Sequence, residues 1–477
     1  MPPPNEQRHN ASRDLNSRRY NSAIDSCVLP AILAPQDALL LSVVHQLEQS
    51  ERWPIEVLRH RQMAQLGALW AHAVREVPFY GARAAPASLA GGEKDLDAWA
   101  RLPVLTRAEL QKNAASLRAR KLPVGHAHTG TAQTSGATGT PVTVPTTSVM
   151  RLMWLALGMR DHYWHGREES GLAVAIRIFD DKLKAGYPEG VAFRDWGAPI
   201  SLLHTTGPAV GLSIHTDPAK QIEFLQRHQP DYLITFPSNA AALAEFSLAG
   251  RIDLPKLKEV QLVSEALDPH VRRQVETAWS VKVTDIYSAQ EVGYIALQCP
   301  EHDHYHVQSE NVYVEVVGDD GQPCKPGQTG RVLVTALHNF ALPLIRYEIG
   351  DFAEVGEPCA CGRTLPVLTR ILGRVRNMLV LPNGERRWPS LAAPFYRGIA
   401  PVVQHQIVQH DLERVEARLV VERTLTSDEE AALRAIIIER LGHPFEVSFS
   451  YPASIGRSKS GKFEEFFSAV PSIAAAQ

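Results

Sequence analysis

The sequence lacks an excess of charge of either sign. Its 49 Lys and Arg residues nearly balance 52 Asp and Glu residues, giving a formal net charge of -3. Proteins that bind nucleic acid mainly through bulk positive potential carry a clear basic excess. We therefore expect no nucleic-acid partner, and any polyanionic ligand must be held by a local group of residues.

Long hydrophobic runs are also missing. Among the longest apolar stretches is the one from Ala31 to Val44, and Pro35 and Asp37 interrupt it well short of the ~20 residues that a membrane helix needs. The first 25 residues contain several Arg, Asn and Ser and no apolar core, which favours a disordered tail over a secretory signal. We expect no membrane partner, a cytoplasmic location, and a monomer or homodimer.

Cysteine is scarce and unevenly placed. Of five cysteines in 477 residues, four fall between Cys299 and Cys361. Five are too few for a disulfide scaffold, so a cluster suggests metal binding. Cys359 and Cys361 are separated by one residue, and three histidines follow Cys299 within seven positions. Four sulfur and nitrogen donors would close a tetrahedral structural zinc site. Reduced cysteines on a surface loop are the alternative.

The length predicts two to four domains, and 44% hydrophobic residues suffice for real cores. Helical spacing over Asp37–Ser50, and from Pro54 to about Val77, predicts two packing helices. After these helices, β-rich runs alternate with helical segments, which indicates an α/β layered domain with a largely parallel sheet. The β-rich runs are Gly171–Phe179, Asp231–Pro237, Leu257–Glu265 and Val281–Ala289.

The pattern changes towards the C-terminus. Asn311–Val317 and Gly330–Leu337 predict an antiparallel strand pair. A smaller α+β unit follows, with a helix over Ser427–Leu441 that we expect to start with a capping box of Ser427 and Glu430 and to end at Gly442. We therefore expect three parts: a tail at residues 1–25, a large N-terminal domain at 26–373 and a small C-terminal domain at 374–477.

One loop is dense in small, hydroxylated and glycine residues. Such a loop lets backbone N–H groups converge on an oxyanion while hydroxyl groups add donors. No Lys-Ser/Thr follows the glycines, so it is not a Walker A loop, and an ordinary surface turn is the alternative. The candidate phosphate ligands are Thr134, Ser135, Gly136, Thr138 and Gly139.

Four further segments follow this loop in a fixed order. They are Tyr287-Ser288-Ala289-Gln290-Glu291, Arg346-Tyr347-Glu348-Ile349-Gly350-Asp351, Gly373-Arg374-Val375-Arg376-Asn377-Met378 and Arg457-Ser458-Lys459-Ser460-Gly461-Lys462. Together the five resemble, in order, the motifs of the adenylate-forming (acyl-CoA synthetase) superfamily. Within it the chain most resembles the phenylacetate–CoA ligase family, through Pro343–Tyr347, Cys359–Arg363 and Ile371–Arg374. The resemblance covers about residues 60 to 465.

The resemblance implies an α/β fold, with a large adenylate-forming domain of layered sheets and helices and a small mobile α+β C-terminal domain. It also implies ATP-dependent activation of a small-molecule carboxylic acid, which we expect to be aromatic, to an acyl-adenylate. Pyrophosphate is released, and the acyl group is then transferred to coenzyme A. An amine or a carrier protein could replace coenzyme A as acceptor, or the chain could be a zinc-stabilised binding protein with a decayed active site. Retention of Glu291, Asp351 and Lys462 argues against decay.

The resemblance assigns a role to each motif residue of this sequence. Lys462 would bridge the carboxylate and the α-phosphate, Glu291 would hold Mg²⁺, and the phosphate loop would cradle the phosphates of ATP. Asp351 would bind the ribose with help from Arg374. Tyr287 would stack on adenine, with Glu265, Ala266 and Leu267 lying along it. Phe236, Tyr287 and residues 235–239 are candidate walls of the acid pocket, although aromatic residues in strands are more often plain core.

Family members often combine such a Cys-x-Cys with an upstream cysteine and a histidine at the start of the next strand. The resemblance thus implies zinc on Cys299, His306, Cys359 and Cys361, with His302 as the alternative to His306. Two departures from the family stand out. Thr140 replaces the usual lysine of the phosphate loop, and Arg376 and Asn377 replace acidic hinge residues.

Overall fold

The computed structural model describes residues 19–83, 94–133, 143–389, 391, 394–458 and 461–470. Across these residues, no helix is both long enough and apolar enough to cross a membrane. The helices are α1 (Pro35–Ser50), α2 (Ile55–Glu76), α3 (Pro78–Gly81), α4 (Lys94–Ala100), α5 (Arg107–Lys112), α6 (Ser148–His165), α7 (Ile200–Leu203), α8 (Pro218–His228), α9 (Pro237–Gly250), α10 (Pro269–Trp279), α11 (Pro394–Arg397) and α12 (Ser427–Leu441).

Two short 3₁₀ turns, Asp181–Leu183 and Val375–Asn377, complete the helical elements. The first ten strands are β1 (His128–Gln133), β2 (Thr143–Thr147), β3 (Ala173–Arg177), β4 (Val191–Phe193), β5 (Ala209–Ser213), β6 (Tyr232–Thr235), β7 (Glu259–Val263), β8 (Lys282–Ala289), β9 (Gly293–Gln298) and β10 (Tyr305–Val307). The others are β11 (Val312–Val317), β12 (Thr329–Ala336), β13 (Tyr347–Val355), β14 (Val367–Arg374), β15 (Leu379–Val380), β16 (Arg386–Arg387), β17 (Val402–Gln409), β18 (Arg414–Val421), β19 (Glu446–Ser450) and β20 (Phe466–Ser468).

Most of the strands before residue 375 form one sheet in the order β11-β12-β13-β14-β10-β9-β8-β7-β6-β3-β5-β4. The neighbours from β5 through β3, β6 and β7 to β8 run parallel, and those from β8 to β11 run antiparallel. Both the parallel region and the later antiparallel strand pair that the sequence predicts are therefore confirmed.

Hydrophobic residues explain the parallel region. Its strands are buried by helices α8, α9 and α10, and their apolar side chains form one cluster with the apolar faces of those helices. Burial on both faces is the usual situation of parallel strands. A second cluster joins helix α2 to the antiparallel strands.

After the 3₁₀ turn at Val375–Asn377, a separate four-stranded sheet has the order β19-β18-β17-β20. Helix α12 covers it and completes its own apolar core. This unit is the α+β C-terminal layer that the sequence predicts.

The start of α12 corrects one detail. The capping box consists of Thr426 and Glu429, not of Ser427 and Glu430. Thr426 has extended φ and ψ angles of -81° and 161°, so its hydroxyl can accept from the Glu429 N–H, while Ser427 is already helical. Gly442 ends the helix with a φ of 62°, as predicted.

We expect Thr426→Ala to lower the free energy of unfolding of the C-terminal unit by about 1 kcal/mol, because the Glu429 N–H in the first turn loses the hydroxyl that accepts from it. Denaturant unfolding followed by circular dichroism measures this. Thr424→Ala, on the same exposed loop, is the control. Equal stability of the two variants would contradict the capping role.

Candidate active site

The predicted motif residues converge at one end of the large sheet. Tyr287 lies near the end of β8, and Asp351 and Arg374 are register partners on β13 and β14. Strand pairing brings these residues together although they lie far apart in the chain. Lys462 comes to the same place from the segment that precedes β20.

Asp351 forms the centre of this group. The Tyr287 hydroxyl donates to Asp351 Oδ2 at 2.9 Å, and Arg374 Nε lies 3.7 Å from Asp351 Oδ1. Burial raises the pKa of Asp351, and the positive charge of Arg374 opposes that rise. Burial and the Asp351 charge also raise the pKa of Tyr287 well above its ordinary value. The pair is thus a partly buried carboxylate that accepts from a neutral phenol.

Glu291 is a second carboxylate of this site and is only 6% exposed. Burial raises its pKa, the positive charges of Arg107 and Arg374 lower it, and the charge of Asp351 raises it further. Two carboxylates in one enclosed site favour a bound cation.

Lys462 is the ammonium group that faces these carboxylates. Burial lowers its pKa, as does the charge of Arg374, whereas the charges of Asp351, Glu265 and Glu291 raise it. A tight turn holds the residue, since Lys462 N–H donates to Ser458 Oγ at 3.1 Å and the Ser458 N–H donates to Lys462 O at 2.9 Å. The structure therefore brings together Lys462, Glu291, Asp351 and Arg374.

Glu265 has a different environment from the one expected for a residue lying along adenine. Its two oxygens accept from the Ser238 N–H at 2.9 Å and from the Phe463 N–H at 2.7 Å. Arg457 Nη1 donates to Ser238 Oγ at 2.8 Å and to Gly461 O at 3.1 Å. The Glu265 carboxylate thus ties the start of α9 to the lysine turn, a contact that we call the Glu265 clamp.

The lysine turn packs closely on Phe236. Gly461 has a φ of 76°, and a Cβ atom there would lie 2.7 Å from Phe236 Cε2. Only glycine satisfies both the backbone conformation and this approach. Phe236, a predicted wall of the acid pocket, is therefore adjacent to Lys462 in the folded chain. Of the two residues that follow Glu265, Ala266 lies beside Gly373, and Leu267 packs on the core of the parallel region.

The predicted phosphate ligands Thr134, Ser135, Gly136, Thr138 and Gly139 lie outside the described residues. The strands on either side pair with each other, so that Gln133 lies opposite Thr143. A cavity of about 300 Å³ lies against this hairpin. Its lining includes Thr131 and Gln290, the neighbour of Glu291.

Sequence reasoning did not foresee the contributions of two residues, Arg457 and Arg107. Arg457 heads a motif that was recognised, but its bond to Ser238 joins residues 219 positions apart, and no local pattern signals it. Arg107 acts electrostatically on Glu291 from helix α5. The two unusual residues of the predicted hinge motif also have partners: Arg376 forms an ion pair with Glu464, and Asn377 Nδ2 donates to Phe466 O at 2.6 Å.

The predicted metal ligands form a cluster at another part of the sheet. Donor atoms of Cys299, His306, Cys359 and Cys361 all lie within 4.8 Å of one another. Cys299 follows β9, His306 lies on β10, and the Cys-x-Cys precedes β14, the other neighbour of β10. Strand pairing therefore explains why these residues meet.

The two ring nitrogens of His306 face different partners. Nε2 lies 3.4 Å from Cys361 Sγ, while Nδ1 lies 3.3 Å from Leu365 O. A hydrogen bond from Nδ1 to a carbonyl is the usual way to leave Nε2 free for a metal. The contact between Cys299 and Cys361 lowers the pKa of Cys361 and raises that of Cys299, so one thiolate accepts from one thiol, and a bound metal would need both deprotonated.

Comparisons with known proteins agree with this arrangement. Residues 128–341 match the AMP-binding enzyme family, and residues 390–467 match the CapK C-terminal domain. A phenylacetate-coenzyme A ligase of Thermus thermophilus is 27% identical over 86% of this chain and 96% of its own. A phenylacetate-coenzyme A ligase of Escherichia coli is 25% identical over 72% of this chain and 77% of its own. The structure of a 2-hydroxyisobutyryl-CoA ligase with R3-HIB-AMP in the postadenylation state superposes with a TM-score of 0.66 at 20% identity, over 88% of this chain and 91% of that one.

A third carboxylate adjoins the Glu265 clamp. Burial, together with the charges of Asp268 and Glu265, raises the pKa of Glu465 to about 8. The folded chain holds this proton more tightly than an unfolded chain, in which the pKa would be 4.5. The contribution of Glu465 to the free energy of unfolding is therefore fully present below pH 4.5 and is lost as the pH rises to about 8.

We therefore expect Glu465→Gln to remove part of the pH dependence of stability. The melting temperature of the variant minus that of the wild type should rise between about pH 4.5 and 8 and should then stay constant. Glu422→Gln, at an exposed carboxylate, serves as the control. A difference between variant and wild type that does not change with pH would refute the assignment.

Proposed function

We propose that this chain, a member of the adenylate-forming enzyme superfamily, joins a carboxylic acid to the α-phosphate of ATP and then transfers the acyl group to coenzyme A. The observation that carries the proposal is the placement of Lys462 among Asp351, Glu265 and Glu291, beside Arg374. The Lys462 ammonium suits a reaction in which negative charge develops on the phosphates of ATP.

The chemical problem is that a carboxylate is a poor electrophile. In the first step a carboxylate oxygen attacks the α-phosphorus, the bond to the β-phosphate oxygen breaks, and pyrophosphate leaves with that electron pair. The Lys462 ammonium would contact the carboxylate and the α-phosphate during this step. Preorganised positive charge is the largest contribution to such phosphoryl chemistry.

Asp351 and Glu291 would bind different parts of the nucleotide. Asp351, oriented by Tyr287 and Arg374, would accept from the ribose hydroxyls, with Tyr287, Ala266 and Leu267 beside the adenine. Glu291 offers the oxygen ligand that Mg²⁺ prefers, and bound Mg²⁺ would neutralise phosphate charge. Thr134, Ser135, Gly136, Thr138 and Gly139 would cradle the phosphates.

The acid is proposed to be aromatic. Curated relatives named phenylacetate-coenzyme A ligase support this choice at 25–27% identity. The apolar surface of Phe236 next to the lysine turn suits a flat ring. Ile178 lines the same approach, since its Cγ1 would lie 2.9 Å from a Cβ atom at Gly461.

Transfer to coenzyme A would require the lysine turn to leave. We propose domains at 26–373 and 374–477, with the turn at Val375–Asn377 as the hinge. Breaking the Glu265 clamp would free the smaller domain to rotate and admit the thiol. Such gating separates two half-reactions in one cleft.

The cysteine cluster is proposed to hold structural zinc. The donors of Cys299, His306, Cys359 and Cys361 are those of a closed Cys₃His site, and bound zinc would link the end of β9 to the loop before β14. Such a site supports the fold and takes no part in acyl transfer.

The activity is tested by incubating the full-length protein with ATP, Mg²⁺ and a panel of acids that includes phenylacetate, benzoate and anthranilate. We expect AMP and pyrophosphate with an aromatic acid, and an acyl-CoA product by mass spectrometry once coenzyme A is added. Adenylation followed by transfer only to amines would correct the acceptor. Absence of ATP binding at millimolar concentration would overturn the proposal.

We expect Lys462→Ala to reduce pyrophosphate release by about 10²- to 10³-fold without unfolding the chain, because the ammonium acts where charge develops. Thioester formation from a pre-made acyl-adenylate should survive. Lys325→Ala, at an exposed lysine, should leave both rates unchanged. An equal fall of both half-reactions in folded Lys462→Ala would contradict the assigned role.

Asp351→Ala should raise the ATP dissociation constant by roughly tenfold to hundredfold, since charge-assisted hydrogen bonds contribute ~1.5–3 kcal/mol. Calorimetric titration measures the effect. Asp319→Ala, at an exposed aspartate outside the site, is the control and should bind ATP as the wild type does. An Asp351→Ala variant that melts early but binds ATP normally would make Asp351 purely structural.

A further inference from the structure

The cysteine cluster contains more donors than one zinc ion needs. Besides the predicted set, the donor atoms of Cys299, His302, His304 and Cys359 also lie within 4.8 Å of one another. The two sets share Cys299 and Cys359, so six side chains form two overlapping groups of four. His302 and His306 are therefore not alternatives to each other, because each belongs to its own group of four donors.

The distances match the edges of tetrahedral zinc sites. With Zn–S bonds of about 2.3 Å and Zn–N bonds of about 2.0–2.1 Å, neighbouring sulfurs are about 3.8 Å apart and sulfur and nitrogen about 3.5 Å. Cys299 Sγ lies 3.9 Å from Cys359 Sγ. His302 Nδ1 lies 3.5 Å from the first sulfur and 3.4 Å from the second. His302 therefore lies at the distance expected of a zinc ligand from both sulfurs. These two sulfurs, of Cys299 and Cys359, also belong to the first set.

His304 supplies the fourth donor of the second set. Its ring is stacked on that of His302, with centroids 5.0 Å apart and planes 8° apart. The backbone holds it there, because the Cys299 N–H donates to His304 O at 2.8 Å. His304 Nε2 is buried and has no hydrogen-bond partner among the described residues.

We propose that the cluster binds two zinc ions bridged by the thiolates of Cys299 and Cys359. Cys361 and His306 complete the first site, and His302 and His304 complete the second. The inference rests on the zinc site proposed above and extends it. Thiolates bridge readily because sulfur carries several lone pairs, and a bridged pair needs six donors rather than eight.

Charge and exposure distinguish the two sites. Three thiolates and one Zn²⁺ carry one net negative charge, and a second Zn²⁺ makes the cluster positive by one. The carboxylates of Glu301 and Asp303, 58% and 78% exposed, lie on the same loop, where they also pair with Arg363 and Arg272. His302 is exposed and the first set is mostly buried, so the second ion faces solvent and exchanges faster.

The test is a titration of metal-free, full-length protein with Co²⁺, followed by thiolate absorption and by electron paramagnetic resonance. We expect two equivalents to bind. The paramagnetic signal should grow up to one equivalent and then fall, because thiolate bridges couple two Co²⁺ ions magnetically. Native mass spectrometry of the zinc-loaded protein should also show two ions.

Variants separate the two sites. His302→Ala combined with His304→Ala should retain one equivalent and lose the fall in signal, and His215→Ala, at an exposed histidine elsewhere, should behave as wild type. Saturation of the wild type at one equivalent, or two equivalents without coupling, would overturn the bridged pair. Failure to bind any metal would remove both zinc sites, and the pyrophosphate assay would still test the adenylation proposal separately.

Discussion

The Glu265 clamp is the interaction on which the arrangement of the active site depends. One buried carboxylate accepts from the N–H groups of Ser238 and Phe463, residues that lie 225 positions apart. The same carboxylate charge acts on Lys462, together with the charges of Asp351 and Glu291, and opposes the cost of burying its ammonium group. The clamp uses charge-assisted bonds to backbone groups, which are stronger than neutral ones but which water could replace in the domain rotation that we propose. It therefore suits a contact that forms for one half-reaction and breaks for the next.

Strand β14 links the cysteine cluster to the candidate active site. The Cys-x-Cys lies before the strand begins at Val367, and Arg374, its last residue, contacts Asp351. Eight residues of strand span about 26 Å, so the cysteine cluster and the candidate active site are separate in space but share one strand. Zinc that fixes the start of β14 would also fix the position of Arg374 and of the hinge that follows it.

The sequence allowed the order of the motifs, the parallel sheet, the antiparallel strand pair and the C-terminal α+β layer to be predicted. These features depend on local composition and on motif spacing, which the sequence shows directly. The Glu265 clamp could not be predicted, because it pairs a side chain with a backbone N–H 198 positions away. The capping residue was misplaced by one position, since Thr426 and Ser427 are both good N-caps and only the backbone angles distinguish them. His304 lay within the noticed histidine run, but only the fold shows that it and His302 adjoin two of the cysteines.

Oxygen transfer tests the central claim most directly, namely that the acid is activated as an acyl-adenylate in this cleft. An acid from the panel that proves to be a substrate is labelled with ¹⁸O in its carboxylate and converted to its thioester with ATP and coenzyme A. Attack of the thiol on the acyl carbon leaves the bridging oxygen on phosphorus. We predict one ¹⁸O atom in each AMP released. Unlabelled AMP, or label in inorganic phosphate with formation of ADP, would contradict the acyl-adenylate.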